Sequence, residues 1–479
     1  MQEDGFIQKV GAIVGEVGDF VWGPYMLALL VGTGILLTYR LGLLQFRMLP
    51  YALVQAFKPH KQVNKNGEIE GDVSHFGALM TALSATIGTG NIAGVATAVA
   101  LGGPGAVFWM WITALVGMAT KYGEGVLAVK FRITNSNGEM SGGPMYYIEK
   151  GLKLKWLAFL FAFFAVFASF GIGSSVQSNS VADAVFHSFN INPIYTGIAL
   201  TVLTGIVVLG GIRSIAKASS IIVPIMAIGY VLGGIAIILS NVDILGTALG
   251  IIISDAFSAK AIVGGTFGMV IRYGIARGVF SNEAGMGSAP IAAAAAKTDH
   301  PVRQALVSMT GTFLDTIIVC SITGIVLVMG MIHMGMLDPN TGVYLVSNIK
   351  GGASLTASAF DHLLPGFGGM LIAIGMIFFA YSTILGWCYY GEKCAAYLFS
   401  DKFVPFYRVV YVITVFLGCL AVQTGDASDQ SGVKLVWNIA DTFNGLMAAP
   451  NLIALILLSG IIVSETKDFI AKRKSGELE

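Results

Sequence analysis

Charge is what this chain lacks. Asp, Glu, Lys and Arg make up only 11% of its 479 residues, where a soluble globular chain carries roughly 25%. Length alone suggests about three soluble domains, but so few charges cannot coat a water-facing surface of that size. Cysteine is scarce too. Cys320, Cys388, Cys394 and Cys419 form no CxxC pair and lie in or beside apolar stretches, so they read as small buried hydrophobes and exclude a disulfide scaffold. The six histidines show no cluster and no span-centre placement. No GxxxxGK[ST] loop is present, which leaves ATP drive without support. The N-terminus is acidic (Glu3, Asp4) rather than basic, so no cleavable signal peptide is expected and the first apolar stretch should remain as a span.

What fills the chain instead is apolar. Hydrophobic residues reach 55% and mean hydropathy is +0.77. Glycine stands at 61 of 479 residues, against a usual ~7%, as suits helices that pack closely in a membrane. The fold class read from this is an all-α polytopic membrane protein, which excludes a soluble enzyme and a nucleic-acid binder. The net charge of +1 says little, because membrane-protein charges segregate by side.

A bilayer core needs ~20 apolar residues per helix. Charge-poor stretches of that length predict eleven spans, near 20–43, 74–100, 104–130, 156–182, 193–212, 218–241, 262–296, 303–334, 366–391, 405–425 and 433–464. The last is expected either as one helix bent near Pro450 or as two short ones. The loops at 44–73 and 335–365 have room for short surface helices only. Basic residues favour the cytoplasmic side. Placing the tail with Lys467, Lys472, Arg473 and Lys474 inside puts the N-terminus outside. All of the 28 basic residues except Lys9, Lys260, Arg272, Arg277, Lys350 and Lys434 then fall inside, Lys58, Lys61, Lys65, Lys121 and Lys393 among them.

Two spans carry polar interruptions at mid-depth. One holds Ser84-Ala85-Thr86-Ile87-Gly88-Thr89-Gly90-Asn91-Ile92-Ala93-Gly94. The other holds Phe280-Ser281-Asn282-Glu283-Ala284-Gly285-Met286-Gly287-Ser288-Ala289-Pro290. Glycine weakens a helix and proline removes a donor. Taken singly, either segment reads equally well as close helix packing. Together they occupy matching places in two five-span halves, 74–241 and 262–464, and an odd number of spans per half inverts the second relative to the first. An extra N-terminal span (1–45) precedes the halves and a cytoplasmic tail (465–479) follows them. Paired interruptions of this kind point to a transporter site, because freed N–H groups attract a carboxylate and freed carbonyls coordinate a cation.

Behind the first interruption stands Gly102-Gly103-Pro104-Gly105-Ala106-Val107-Phe108-Trp109-Met110-Trp111-Ile112-Thr113-Ala114-Leu115-Val116-Gly117. This segment resembles, position for position, the signature of the alanine/glycine:cation symporter family. Gly142-Gly143-Pro144-Met145-Tyr146-Tyr147 and the Ser281–Pro290 stretch look like that family too, and the likeness covers essentially the whole chain. It implies sodium-coupled, sometimes proton-coupled, uptake of alanine or glycine across the cell membrane. It also implies the five-plus-five inverted-repeat fold of neurotransmitter:sodium symporters. By that resemblance the Thr89 and Gly90 amides hold the substrate carboxylate, and Thr86 offers a carbonyl to the substrate amine and to one sodium. Asn91 and Ser281 complete that candidate second sodium site. Carbonyls of Ser84 and Ile87 with the hydroxyls of Ser382 and Thr383 form the other sodium site, and Trp387 lines the side-chain pocket. Phe170 lies in the helix where that fold places an aromatic lid.

Other residues keep two readings. Gln177 and Asn179 either bond across helices or touch substrate. Phe170 and Met286 are either core or pocket. Glu283 is expensive within a membrane unless paired or neutral. It pairs with the substrate ammonium, a cation or a proton, or else with Arg277 or Arg272. Asp315 and Asp441 are weaker cases, with a gate ion pair from Asp441 to Arg272 or Arg277 as one option. An intramembrane enzyme would need a catalytic pair such as Ser with His or two Asp in a matching motif, and none stands out. A channel would be expected to show a repeated pore loop rather than an internal inverted repeat. The expected function is a secondary symporter with sodium as co-transported ion and no organic cofactor. Its expected partners are a small amino acid, sodium and the lipid bilayer, and proton coupling through Glu283 is the alternative.

Overall fold

The computed structural model describes residues 2–57, 70–257, 267–346, 349, 351–422 and 431–478. Lys58, Lys61, Lys65, Lys260 and Lys350, residues 262–266 of the seventh expected span and residues 423–425 of the tenth lie outside the described residues. Among the described residues the sheet content is one two-stranded hairpin, Ile133–Thr134 against Met140–Ser141. The rest of the regular structure is helix.

Among the described residues seven helices are long and apolar enough to cross a membrane, or eight if the bent pair His75–Thr86 and Gly90–Gly102 is one span. Each remaining expected span is helical but fails that measure for a visible reason. Ala106–Lys130 carries Lys121, Glu124 and Lys130, Pro193–Val208 has 16 residues, and the seventh is split into Phe267–Asn282 and Ala289–Ala294. The long helix Gly211–Ser240 shows what faces lipid. Ile221, Ile225, Ile228, Leu232 and Leu239 are exposed on it at helical spacing, a stripe that water would not tolerate but hydrocarbon does.

The last stretch breaks at Leu458, between Ser431–Leu457 and Ser459–Lys474, and Pro450 lies inside the first of these helices. Neighbouring groups in a packed bundle can re-satisfy the carbonyl that proline leaves free. A helix unforeseen in the sequence, Val242–Ala256, follows the first five-span half. It receives the segment 102–117. Gly105 N–H donates to Asp255 Oδ2 at 2.8 Å, and a Cβ on Gly105 would lie 2.4 Å from the Ala256 nitrogen. The chain starts with a helix, Gln2–Val21, that turns at Gly23 into Pro24–Arg40. Trp22 Nε1 donates to the Asp441 carbonyl at 3.0 Å, which ties this corner to the helix Ser431–Leu457.

Among the described residues two large apolar cores hold the bundle, one around Tyr122, Phe161, Trp387 and Tyr411, the other around Tyr230, Phe360 and Phe379, with a small third cluster around Val95 and Met110. Between the two large cores the helix Gly368–Leu398 crosses the first broken helix at backbone distance. A Cβ on Gly386 would come 2.7 Å from Ala85 Cβ, so small residues here bring two backbones together. Among the described residues four stretches wind as π-helix: Gly90–Gly94, Ile148–Leu152, Ser169–Ser175 and Phe313–Cys320. All four cysteines are buried.

Candidate substrate and cation site

The two interruptions are real breaks. His75–Thr86 ends at Ile87, whose backbone is extended, and the chain resumes as helix at Gly90 with a bend of 51°. The second break runs from Glu283 to Ser288. Glu283, Gly285 and Gly287 take φ of +56°, +91° and +84° there. Glycine accepts that conformation freely, whereas a glutamate in it is uncommon and marks an over-determined place in the fold.

The first break is loosely bonded. The Gly88 N–H donates to Asn91 Oδ1 at 2.8 Å. The Thr89 N–H reaches Gln177 Oε1 at 3.4 Å, and the Thr383 hydroxyl meets the Ile87 carbonyl at 3.4 Å. Both distances are at the edge of hydrogen-bond range. Gly88 is required sterically, because a Cβ there would lie 2.4 Å from Thr383 Oγ1. A narrow cavity opens at this point, lined by Ala85, Thr86, Gly88, Gly90, Ile172, Gln177, Phe280, Glu283, Thr383, Trp387 and Asn444. Its volume of ≈ 10 Å³ is about the room of one water, so a ligand must be small and must push the walls apart.

The structure thus brings Thr86, Gly90, Gln177, Glu283, Thr383 and Trp387 to one point. Thr89 lies beside it, lining a larger cavity of ≈ 420 Å³. Ser84 packs beneath, its Oγ 2.8 Å from where a Gly386 Cβ would stand. Ser382 points elsewhere, donating to the Phe379 carbonyl at 2.9 Å and touching Met226 Sδ at 3.6 Å. Phe170 and Met286 do not line the cavity. The Phe170 ring lies tilted 5.2 Å from Tyr407 and 6.0 Å from Tyr411, and Met286 is fully buried. The aromatic at the cavity mouth is Phe280. It borders the narrow cavity, the ≈ 420 Å³ cavity and one of ≈ 730 Å³, and Arg277 stands 5.5 Å over its ring.

Asn91 and Ser281, one from each break, converge on Asp315 in the helix after the second break. Asn91 Nδ2 donates to Oδ1 at 2.7 Å, and the Ser281 and Thr316 hydroxyls donate to Oδ2 at 2.9 and 2.7 Å. The sequence signal was present, since Asp315 is the lone acidic residue in residues 301–333. Glu283 accepts from Ser288 Oγ at 2.6 Å. Its expected arginine partners are engaged elsewhere: Arg277 lies 3.5 Å from Asp441 and Arg272 lies 2.7 Å from Asp19. Asn444 carried no sequence signal. Its Oδ1 is buried and has no hydrogen-bond partner among the described residues.

Two of the basic residues assigned to the inside are buried, and one of them, Lys121, does not face water at all. Lys121 is 2% exposed and donates to the Asn282 carbonyl at 2.8 Å. Lys393 is buried and paired with Glu139 at 2.8 Å. Charge counting treated both as helix ends facing water. Lys121 meets backbone inside the bundle, whereas Lys393 is covered but reaches the hairpin side chain Glu139, which is 37% exposed.

A sequence model of the sodium:alanine symporter family matches residues 7–479. The chain belongs to the sodium:alanine symporter family. It is 57% identical over 470 residues to the sodium/alanine symporter AgcS of Methanococcus maripaludis, covering 97% of this chain and 98% of that protein. An uncharacterized transporter of Haemophilus influenzae is 51% identical over 471 residues, covering 97% of each. The crystal structure of MhsT in complex with L-phenylalanine is similar with a TM-score of 0.58 at 16% identity, covering 83% of this chain and 98% of that one, which shows a shared fold. Family membership makes this symporter a multi-pass membrane protein of sodium-coupled amino-acid transport.

Proposed function

We propose that this symporter takes up alanine, and with it other small neutral amino acids such as glycine, by alternating access around the first break. The observation that carries the reading is the narrow cavity where loosely bonded backbone of that break faces Thr383, Glu283 and Trp387. The substrate carboxylate takes the amides of Thr89 and Gly90. Its ammonium takes the Thr86 carbonyl, Glu283 and the unpaired Asn444 Oδ1. The side chain points to Trp387 and Gln177. Sodium sits between the carbonyls of Ser84 and Ile87 and the Thr383 hydroxyl, with Ser382 joining after a change of rotamer. A sodium ion crossing 100 mV contributes about 2.3 kcal/mol electrically, enough to concentrate a zwitterion many-fold. The name of AgcS, a sodium/alanine symporter, supports the choice of substrate.

In this reading the eleven spans form an extra N-terminal helix and two inverted five-span halves, 74–241 and 262–464. The N-terminus lies outside and the C-terminus in the cytoplasm. The two larger cavities face outward, and Phe280 with the Arg277–Asp441 pair closes over the site from that side. The deciding experiment is uptake of labelled alanine and glycine into proteoliposomes under an imposed sodium, lithium or proton gradient. Uptake driven by protons alone, without sodium, would replace sodium by Glu283 protonation as the coupling step.

A further inference from the structure

The two breaks are alike in sequence and unlike in bonding. At the first, Asn91 holds both backbone groups of Gly88, but the Thr89 N–H and the Ile87 carbonyl are held only at 3.4 Å beside a cavity. At the second, the exposed backbone is taken up by the chain itself. The Asn282 carbonyl receives Lys121 Nζ at 2.8 Å. The Gly287 N–H donates to Glu124 Oε1 at 3.0 Å. The Gly285 carbonyl accepts from Asn451 Nδ2 at 2.9 Å, and the same Asn451 amide donates to Glu124 Oε1 at 2.6 Å. Ala284 N–H donates to Asn282 Oδ1 at 2.9 Å.

Lys121 and Glu124 are fully enclosed, at 2% and 0% exposure. They stand three residues apart on Ala106–Lys130, one helical turn, and so present an ammonium and a carboxylate along one face. That face lies along the second break. The ammonium meets the carbonyl that ends Phe267–Asn282, where the helix dipole is negative. The carboxylate meets an amide freed four residues beyond Glu283. A buried charge is retained only when paired or hydrogen-bonded; the partners here are the broken backbone and, for Glu124 Oε1, also the Asn451 amide, while Glu124 Oε2 has none among the described residues.

We infer that Lys121 and Glu124 are resident occupants of the second break, standing where a cation and a carboxylate stand at the first. They are positioning residues. They hold Asn282 and Gly287, and through them fix Phe280, Ser281 and Glu283 against the site. The coupled sodium and the substrate are then both handled by the first break, and no mobile cation is needed at the Asn282 carbonyl. This inference rests on the first break being the ligand site.

Sodium titration of labelled-alanine uptake in proteoliposomes tests it, with wild type, Lys121→Arg, Lys121→Gln, Asn91→Ala and Thr383→Ala. The Hill slope cannot exceed the number of cooperating sites, so the wild type should give a slope of about one. Lys121→Gln vacates the cation position. Its slope should steepen toward about two and its half-saturating sodium should rise roughly tenfold, because a second sodium must now enter. Lys121→Arg should keep the wild-type slope. A merely structural lysine would lower the rate and leave the slope alone. Lys121→Gln that transports with wild-type slope and half-saturation overturns the inference. So does a wild-type slope of about two that Asn91→Ala leaves unchanged, because the second sodium then sits at neither candidate position of the first break, and that result decides the matter if Lys121→Gln fails to fold. Thr383→Ala keeps the two ideas separate: unchanged sodium dependence there removes the first-break site itself, whatever Lys121 does.

Discussion

Gly88→Ala is the sharpest perturbation of the site. The backbone at Gly88 is not left-handed, so alanine meets no conformational penalty and the effect is purely one of space. The new Cβ would stand 2.4 Å from Thr383 Oγ1, 3.3 Å from Thr383 Cβ and 3.4 Å from Gln177 Oε1. The first distance is about 1 Å inside ordinary contact, and Thr383 is held on a helix that already touches Ala85 at backbone distance. Overpacking of this kind costs about 1–3 kcal/mol. If that cost is met by swinging Thr383 away from the Ile87 carbonyl, sodium loses a ligand. Half-maximal uptake should then need roughly fivefold to a hundredfold more sodium, at about tenfold per 1.4 kcal/mol. The assay is initial-rate uptake of labelled alanine against sodium in proteoliposomes, with thermal unfolding recorded in parallel. Gly94→Ala in the same broken helix is the control. A Cβ there meets nothing within 4 Å, so sodium dependence should be unchanged and the melting temperature equal or higher, since alanine favours helix by about 1 kcal/mol. Gly88→Ala that folds, transports and keeps wild-type sodium dependence would refute the placement of sodium beside Thr383.

Three further substitutions probe the rest of the cavity. Asn444→Leu fills the space of the unpaired carbonyl but cannot accept a hydrogen bond. A bond to a charged group is worth about 1.5–3 kcal/mol, so the KM for alanine should rise at least about tenfold, and an unmoved KM would free Asn444 from the ammonium. Glu283→Gln separates coupling modes: loss of proton-driven uptake identifies the group as the proton carrier, whereas sodium-driven uptake that falls with no change of driving ion identifies it as a brace for the amine. Trp387→Ala should let valine or leucine compete with labelled alanine while alanine binds less tightly. Truncating a buried Trp costs about 3–5 kcal/mol, so a melting curve must accompany the competition assay, and a folded variant that still ignores valine would move the pocket wall elsewhere.

Both breaks were legible because they recur at matching places in two five-span halves, which close helix packing of either segment alone does not explain. Thr383 and Trp387 were legible through resemblance, and both face the cavity. What stayed hidden has physical causes. Lys121 and Glu124 lie in the second half of a 25-residue helix, where charge ordinarily means an approach to water. Only the return of the second break against that helix turns them inward. Phe280 is one aromatic among 29 phenylalanines, and its place at the cavity mouth follows from the turn after Asn282 rather than from its type. Phe170 occupies the expected helix, but a π turn at Ser169–Ser175 aims it at Tyr407 and Tyr411. The helix Val242–Ala256 is short and carries Asp243 and Asp255, so a search for long apolar runs passed over it.

The π turns have a consequence for how this chain is compared with its relatives. A π turn carries one residue more than the α turn it replaces, and one residue of an α-helix is roughly 100° of rotation. Three such turns, Gly90–Gly94, Ser169–Ser175 and Phe313–Cys320, supply groups at the level of the site: Gly90 and Ile172 in the cavity wall and Asp315 beside Asn91. Removing one residue from 169–175 restores regular winding and swings Gln177 roughly 100° off the cavity, while the hydropathy of the span hardly changes. In these three spans a single-residue gap is therefore a change of which face meets the narrow cavity. An alignment that opens one there compares the lipid side of one protein with the pocket side of another.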